Sequence, residues 1–156
     1  MEKFKIYTDG AASNNGYPNA IGGWAFIIVD KHNTILHHRY EGVKGATNQQ
    51  MELMAAIQGC VEGNSLYPQD KFTIYSDSAY LINCYKQEWW KNWRFNGWRN
   101  SKKQPVANKE LWEALIPFFQ NSNFSFIKVE GHSDDSWNNY VDALAVLAKE
   151  GVRNYT

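Results

Sequence analysis

Only two cysteines occur among the 156 residues, Cys60 and Cys84, with no CxxC spacing and no histidine cluster beside them. That scarcity argues against a zinc ligand set and against a disulfide framework, and leaves two thiols expected to pack as small buried hydrophobes. The first residues lack the basic, apolar and small-residue order of a secretory signal. No apolar run approaches the roughly 20 residues that span a bilayer. The expectation is a cytoplasmic protein with no membrane partner. Net charge is also absent, with 16 basic and 16 acidic residues, and no internal repeat, low-complexity tract or interdomain linker interrupts the chain. A chain of this length suits one domain over residues 1–156 with one substantial core.

What is present is unevenly placed. Aromatic residues make up 15% of the chain, seven of them Trp. Between Lys86 and Lys109 stand seven basic residues against the single acid Glu88, a local net of +6. A neutral total that hides a basic segment points to a local contact with a polyanion.

The periodicity outlines the elements. Lys3 to Thr8 alternates polar and apolar residues as a strand does and runs into Asp9. Ser13 to Ala20 has the Asn, Gly and Pro content of a loop. Gly23 to Val29 and Thr34 to Tyr40 read as two further strands of an antiparallel meander. From Thr47, a plausible N-cap, the period becomes helical and carries Glu52. Lys71 to Tyr75 is a short strand that leads into Asp77. Helices follow over Ser78 to Tyr85 and Lys109 to Phe119, then a strand over Phe124 to Val129. Gly131 to Trp137 reads as a loop before a helix over Asn138 to Lys149 that contains Asp142. The order βββαβααβα predicts an α/β fold: a five-stranded mixed sheet, three strands in an antiparallel meander plus two parallel strands, flanked by helices.

Asp9 and Asp77 follow apolar strands, and Glu52 and Asp142 lie on helices with apolar faces. Four carboxylates gathered at neighbouring strand ends would repel and raise one another's pKa values unless cations neutralised them. Oxygen ligands of this kind suit Mg²⁺ or Mn²⁺, and a pair of such ions can activate water and stabilise the leaving oxygen in phosphodiester hydrolysis. Taken singly, each acid reads more simply as a solvated side chain or a helix cap, and placement at strand ends is what favours the shared site.

Five stretches in order, Tyr7-Thr-Asp-Gly-Ala, Thr47-Asn-Gln-Gln-Met-Glu-Leu, Tyr75-Ser-Asp-Ser, Val129-Glu-Gly-His-Ser and Asp142-Ala-Leu-Ala, resemble the successive motifs of type 1 ribonucleases H. The segment Gly97 to Trp112 shares the resemblance, which covers nearly the whole chain. It implies a ribonuclease H-like fold and two Mg²⁺ ions per site, with Mn²⁺ possible, held by Asp9, Glu52, Asp77 and Asp142, with Asp9 bridging. It also implies that His132 assists proton transfer or release of the cleaved phosphate. The implied substrate is an RNA–DNA hybrid duplex whose RNA strand is cut, by a monomer needing no small-molecule cofactor.

Trp89, Trp90, Trp93 and Trp98 interleave with Lys86, Lys91, Arg94 and Arg99, followed by Lys102 and Lys103. Aromatic faces beside cations suit a nucleic-acid groove. At least one of the four indoles is expected to pack into the core instead. The block around residues 86–109 resembles the family's basic protrusion for the DNA strand, with Trp89 and Trp93 as its DNA-facing aromatics. Thr47 and Asn108 match a pocket for a DNA-strand phosphate, and Asn48 and Gln49 match positions that read 2′-hydroxyls. Thr47 and Asn48 could also serve as helix caps.

The chain departs from the family pattern in several places. Gly45 stands where Arg is common, so the phosphate pocket is expected to be weaker or to recruit Lys44. Glu130 stands where Lys is common. The loop Ser13 to Ala20 is longer than usual, and no separate hybrid-binding domain is expected. Two alternatives to a ribonuclease H stay open: another nuclease of the same fold, such as a junction resolvase or transposase-like enzyme, and a non-catalytic hybrid-binding protein.

Overall fold

The computed structural model describes residues 2–130 and 136–154. Its elements are β1 (Lys3–Ser13), β2 (Ile21–Val29), β3 (Ile35–Lys44), α1 (Asn48–Leu66), β4 (Lys71–Ser76), α2 (Ala79–Gln87), α3 (Trp89–Asn96), α4 (Lys109–Phe119), β5 (Phe124–Lys128) and α5 (Ser136–Asn154). The sheet has five strands in the order β3-β2-β1-β4-β5. The meander β1–β2–β3 is antiparallel, and β4 lies parallel to both β1 and β5, as the sequence predicts.

Every residue of β2, Ile-Gly-Gly-Trp-Ala-Phe-Ile-Ile-Val, is buried. A strand reads as a continuous apolar run when helices cover both faces of its sheet. On one face Phe4, Ile6 and Phe26 pack with Leu53 of α1 and Trp112 of α4. On the other, Tyr7, Ala25 and Ile27 meet Val141 and Ala145 of α5. Full burial of each large apolar side chain contributes about 1.5–3 kcal/mol, so the two clusters hold the helices to the sheet. Gly23 sets the closeness of α5: a Cβ there would collide with the backbone at Ala145 and Lys149.

Three expectations need correction. β1 runs to Ser13, so Asp9 lies inside a strand and not at its end. The edge strand β3 extends to Lys44, beyond Tyr40. A separate short helix, α3, occupies the first part of the basic Trp-rich block, because Trp90 and Trp93 at i, i+3 spacing bury one face of it. Glu88, in the left-handed region at φ 53°, breaks the chain between α2 and α3. Among the described residues no helix is long and apolar enough to cross a membrane.

Candidate active site

The parallel ladder between β1 and β4 ends at the pair Tyr7↔Tyr75. Beyond it β4 stops at Ser76, while β1 continues alone against β2. Asp9 and Asp77 each stand two residues past that last pair, in which the rings of Tyr7 and Tyr75 stack with centroids 4.8 Å apart. Asp9 is 2% exposed and Asp77 half-buried.

Glu52 reaches the same point from α1 and is 6% exposed. Its approach depends on Gly10, where a Cβ would collide with the α1 backbone at Met51 and Glu52. The Gly10 N–H donates to Glu52 Oε1 at 3.1 Å and to Asp9 Oδ1 at 2.9 Å. Asp9, Glu52 and Asp77 each offer an oxygen within 4.8 Å of the other two. Asp142, half-buried on α5, lines the same basin of about 390 Å³ together with Asn48, Gln49 and Ser78.

Electrostatics make this basin costly as it stands. Burial drives the Asp9 carboxyl far above the usual carboxylate range, and the neighbouring Glu52 charge adds to the effect. Burial likewise raises Glu52, although the hydrogen bond with Asp9 opposes it. Asp77 is raised by burial, with the Asp142 charge adding. Glu52 Oε2 is buried and has no hydrogen-bond partner among the described residues. An orphaned carboxylate oxygen among other carboxylate oxygens is a donor set that fits a hard divalent cation.

The remaining predicted residues fall into two groups. At the start of α1, Thr47 caps the helix: its Oγ1 accepts from Gln50 N at 3.1 Å, and Gln50 Oε1 accepts from Thr47 N at 3.0 Å. Asn48 and Gln49 are exposed on the first turn, beside the carboxylates. Asn108, before α4, is tied to Gln50 and to Tyr80.

On the other side of Tyr80 lies a groove of about 500 Å³, lined by Trp89, Trp93, Asn96, Arg99 and Ser101. Trp93 was expected to face DNA, yet it is 9% exposed, packed against Trp98 at 5.4 Å and Trp112 at 5.7 Å. It therefore borders the groove from within the core. Trp90 is also buried, whereas Trp89 and Trp98 are half-buried. Trp98 is covered by the Lys109 ammonium, 5.4 Å from its ring, and does not line the groove. Arg99, Lys102 and Lys103 are exposed, and Lys103 lines a second depression together with Arg99. His132 lies outside the described residues.

Sequence reasoning missed Tyr80, which lines both basin and groove. The available signal was its place three residues after Asp77, on the first turn of α2. It also missed Gly10 as the residue that admits Glu52, although its position directly after Asp9 was a clue.

The RNase H family model matches residues 1–150. The chain is 43% identical over 151 residues to a ribonuclease H of Syntrophomonas wolfei, covering 93% of this chain and 94% of that one. It is 42% identical over 146 residues to a ribonuclease H of Clostridium botulinum, with coverage of 93% and 94%. Among solved structures, the PFV RNase H domain superposes with a TM-score of 0.79 at 19% identity, covering 97% of this chain and 96% of that one. LC11-RNase H1 in complex with an RNA/DNA hybrid gives 0.71, also at 19% identity, covering 96% and 98%.

Proposed function

The chain belongs to the RNase H family, and from that premise we propose that it is an endonuclease hydrolysing the RNA strand of RNA–DNA hybrids to leave 5′-phosphate and 3′-hydroxyl ends. The observation that carries this reading is the convergence of Asp9, Glu52 and Asp77 within 4.8 Å in a basin that also holds Asp142 and the exposed amides of Asn48 and Gln49.

Asp9, Glu52, Asp77 and Asp142 would hold two Mg²⁺ ions, with Mn²⁺ as the alternative. When bound, such ions supply Lewis-acid activation of water and neutralisation of charge at the scissile phosphate. The protein's part is positional. The Gly10 N–H fixes one oxygen each of Asp9 and Glu52, and burial keeps bulk water from screening them. His132 would shuttle a proton or help the cleaved phosphate leave, and no covalent intermediate is involved.

Strand choice falls to the flanking residues. The exposed amides of Asn48 and Gln49, beside the carboxylates, would meet 2′-hydroxyls, the group that distinguishes RNA from DNA. Thr47 and Asn108 would take a DNA-strand phosphate. Gly45, at φ 74° with open space where its Cβ would be, brings no cation to that pocket. Exposed Lys44 is the neighbouring candidate. Trp89, Trp93 and Trp98 with Arg99, Lys102 and Lys103 would form the basic protrusion for the DNA strand. Glu130 pairs with Lys128 at 3.7 Å, which offsets part of its added charge.

The proposal includes one catalytic domain acting as a cytoplasmic monomer without a small-molecule cofactor. The buried free thiols Cys60 and Cys84 suit a reducing compartment. The test is one labelled panel of hybrid, duplex RNA, duplex DNA and four-way junction, incubated with Mg²⁺ with and without chelator. Cleavage confined to the hybrid's RNA strand and abolished by chelator is expected. Cutting of the junction, or binding without cutting, would overturn the assignment.

A further inference from the structure

An asparagine at a helix N-cap ordinarily turns its side chain onto the first-turn N–H groups. Asn108 does not: at φ 61°, ψ 32° it precedes α4 with no side-chain cap. Its amide goes sideways. Oδ1 accepts from Gln50 Nε2 at 3.4 Å, and Nδ2 donates to the Tyr80 hydroxyl at 3.4 Å, to which Trp112 Nε1 also donates at 3.2 Å.

Gln50 occupies the third position of α1 and completes a reciprocal capping box with Thr47. Glu or Gln can fill that position equally well. Only the amide can accept from Thr47 N through its oxygen and donate to Asn108 through its nitrogen.

We propose that Gln50 is a positioning residue that ties the start of α1 to the start of α4 and fixes the orientation of the Asn108 amide for a substrate phosphate. With Oδ1 held by Gln50 and one N–H on Tyr80, the second N–H of Nδ2 is the donor left for the phosphate. Gln50 thereby sets affinity for the DNA strand without touching the reacting atoms. The inference rests on the reading of Thr47 and Asn108 as phosphate contacts.

Gln50→Glu tests it, because the carboxylate preserves both halves of the capping box and removes only the donor to Asn108. The expected result is a KM for the hybrid raised roughly three- to tenfold, the range of one lost hydrogen bond, with kcat within about twofold and little change in Tm. The added charge could itself repel phosphate, so the same substitution is repeated on Asn108→Ala. There it should raise KM no further, whereas simple repulsion would persist. An unchanged KM in Gln50→Glu, or a full rise on the Asn108→Ala background, overturns the proposal. A KM unaffected by Asn108→Ala removes the phosphate reading and this inference with it. A parent enzyme that leaves the hybrid intact overturns the proposed function itself.

Discussion

Asp9 and Glu52 share one backbone donor, the Gly10 N–H, at 2.9 and 3.1 Å. That sharing joins strand to helix at the point where both acids become useful, and it holds only while residue 10 has no side chain. Gly10→Ala would drive a methyl group into the α1 backbone at Met51 and Glu52. Overpacking of this kind costs about 1–3 kcal/mol, and more where backbone must move. Urea denaturation should show the loss. Cleavage should fall further than the folded fraction explains, because Glu52 moves away from Asp9. A variant with parental stability and activity would show that the contact relaxes freely.

The same four carboxylates make a prediction about charge. Asp9→Asn or Asp77→Asn would remove one of the proposed metal ligands, and hybrid cleavage should fall by roughly 10² to 10³ or more, the scale of losing one preorganised electrostatic contact. Hybrid binding measured without turnover should stay largely intact. Both changes should raise Tm in chelator, because ionising a carboxyl whose pKa is raised in the folded state works against folding. Undiminished cleavage by either variant would remove that residue from the site.

Much of this arrangement was legible. Tyr7-Thr8-Asp9 and Tyr75-Ser76-Asp77 carry the same spacing, and parallel pairing at Tyr7↔Tyr75 turns that repetition into two acids side by side. The switch to helical period after Thr47 placed Glu52. What could not be read is how far each segment continues. β1 reaches Ser13 because β2 supports it after β4 has left, a tertiary effect with no local signal. The fate of Trp93 was hidden for a similar reason. Its charged neighbours suggested a surface, while its burial depends on Trp112, distant in sequence. The Gln50–Asn108 bond spans 58 positions and leaves no periodic trace.

Stability should depend on pH with a definite sign. Asp9, Glu52 and Asp77 all have raised pKa values in the folded state. Above the ordinary carboxylate range the native protein therefore binds more protons than the unfolded chain. Stability without metal should then fall as pH rises from about 4, by up to about 1.4 kcal/mol per pH unit for each proton difference. A divalent cation bound by the ionised carboxylates opposes this trend, so the Tm gain from Mg²⁺ over chelator should grow with pH. Melting curves from pH 5 to 9 check it, and a gain independent of pH would contradict the burial argument.

The Trp-rich segment separates into a buried part, Trp90 and Trp93, and a part open to solvent, which the proposed function assigns to the DNA strand. Trp93 is buried against Trp98 and Trp112, so Trp93→Ala should cost about 3–5 kcal/mol of stability through the cavity it leaves. Trp89, half-buried at the groove, should cost less stability and more affinity when replaced by Ala, since stacking on a base or sugar is worth about 1–3 kcal/mol. Lys102 and Lys103 are exposed and belong to no ion pair among those resolved in the described residues. Lys102→Gln and Lys103→Gln should therefore leave Tm unchanged. If each neutralises one phosphate, each substitution should flatten the slope of log K against log salt concentration by about 0.9. Salt titrations of hybrid binding decide the point: a parental slope in both variants would place these lysines outside the contact, and leave Arg99 as the cation nearest the groove.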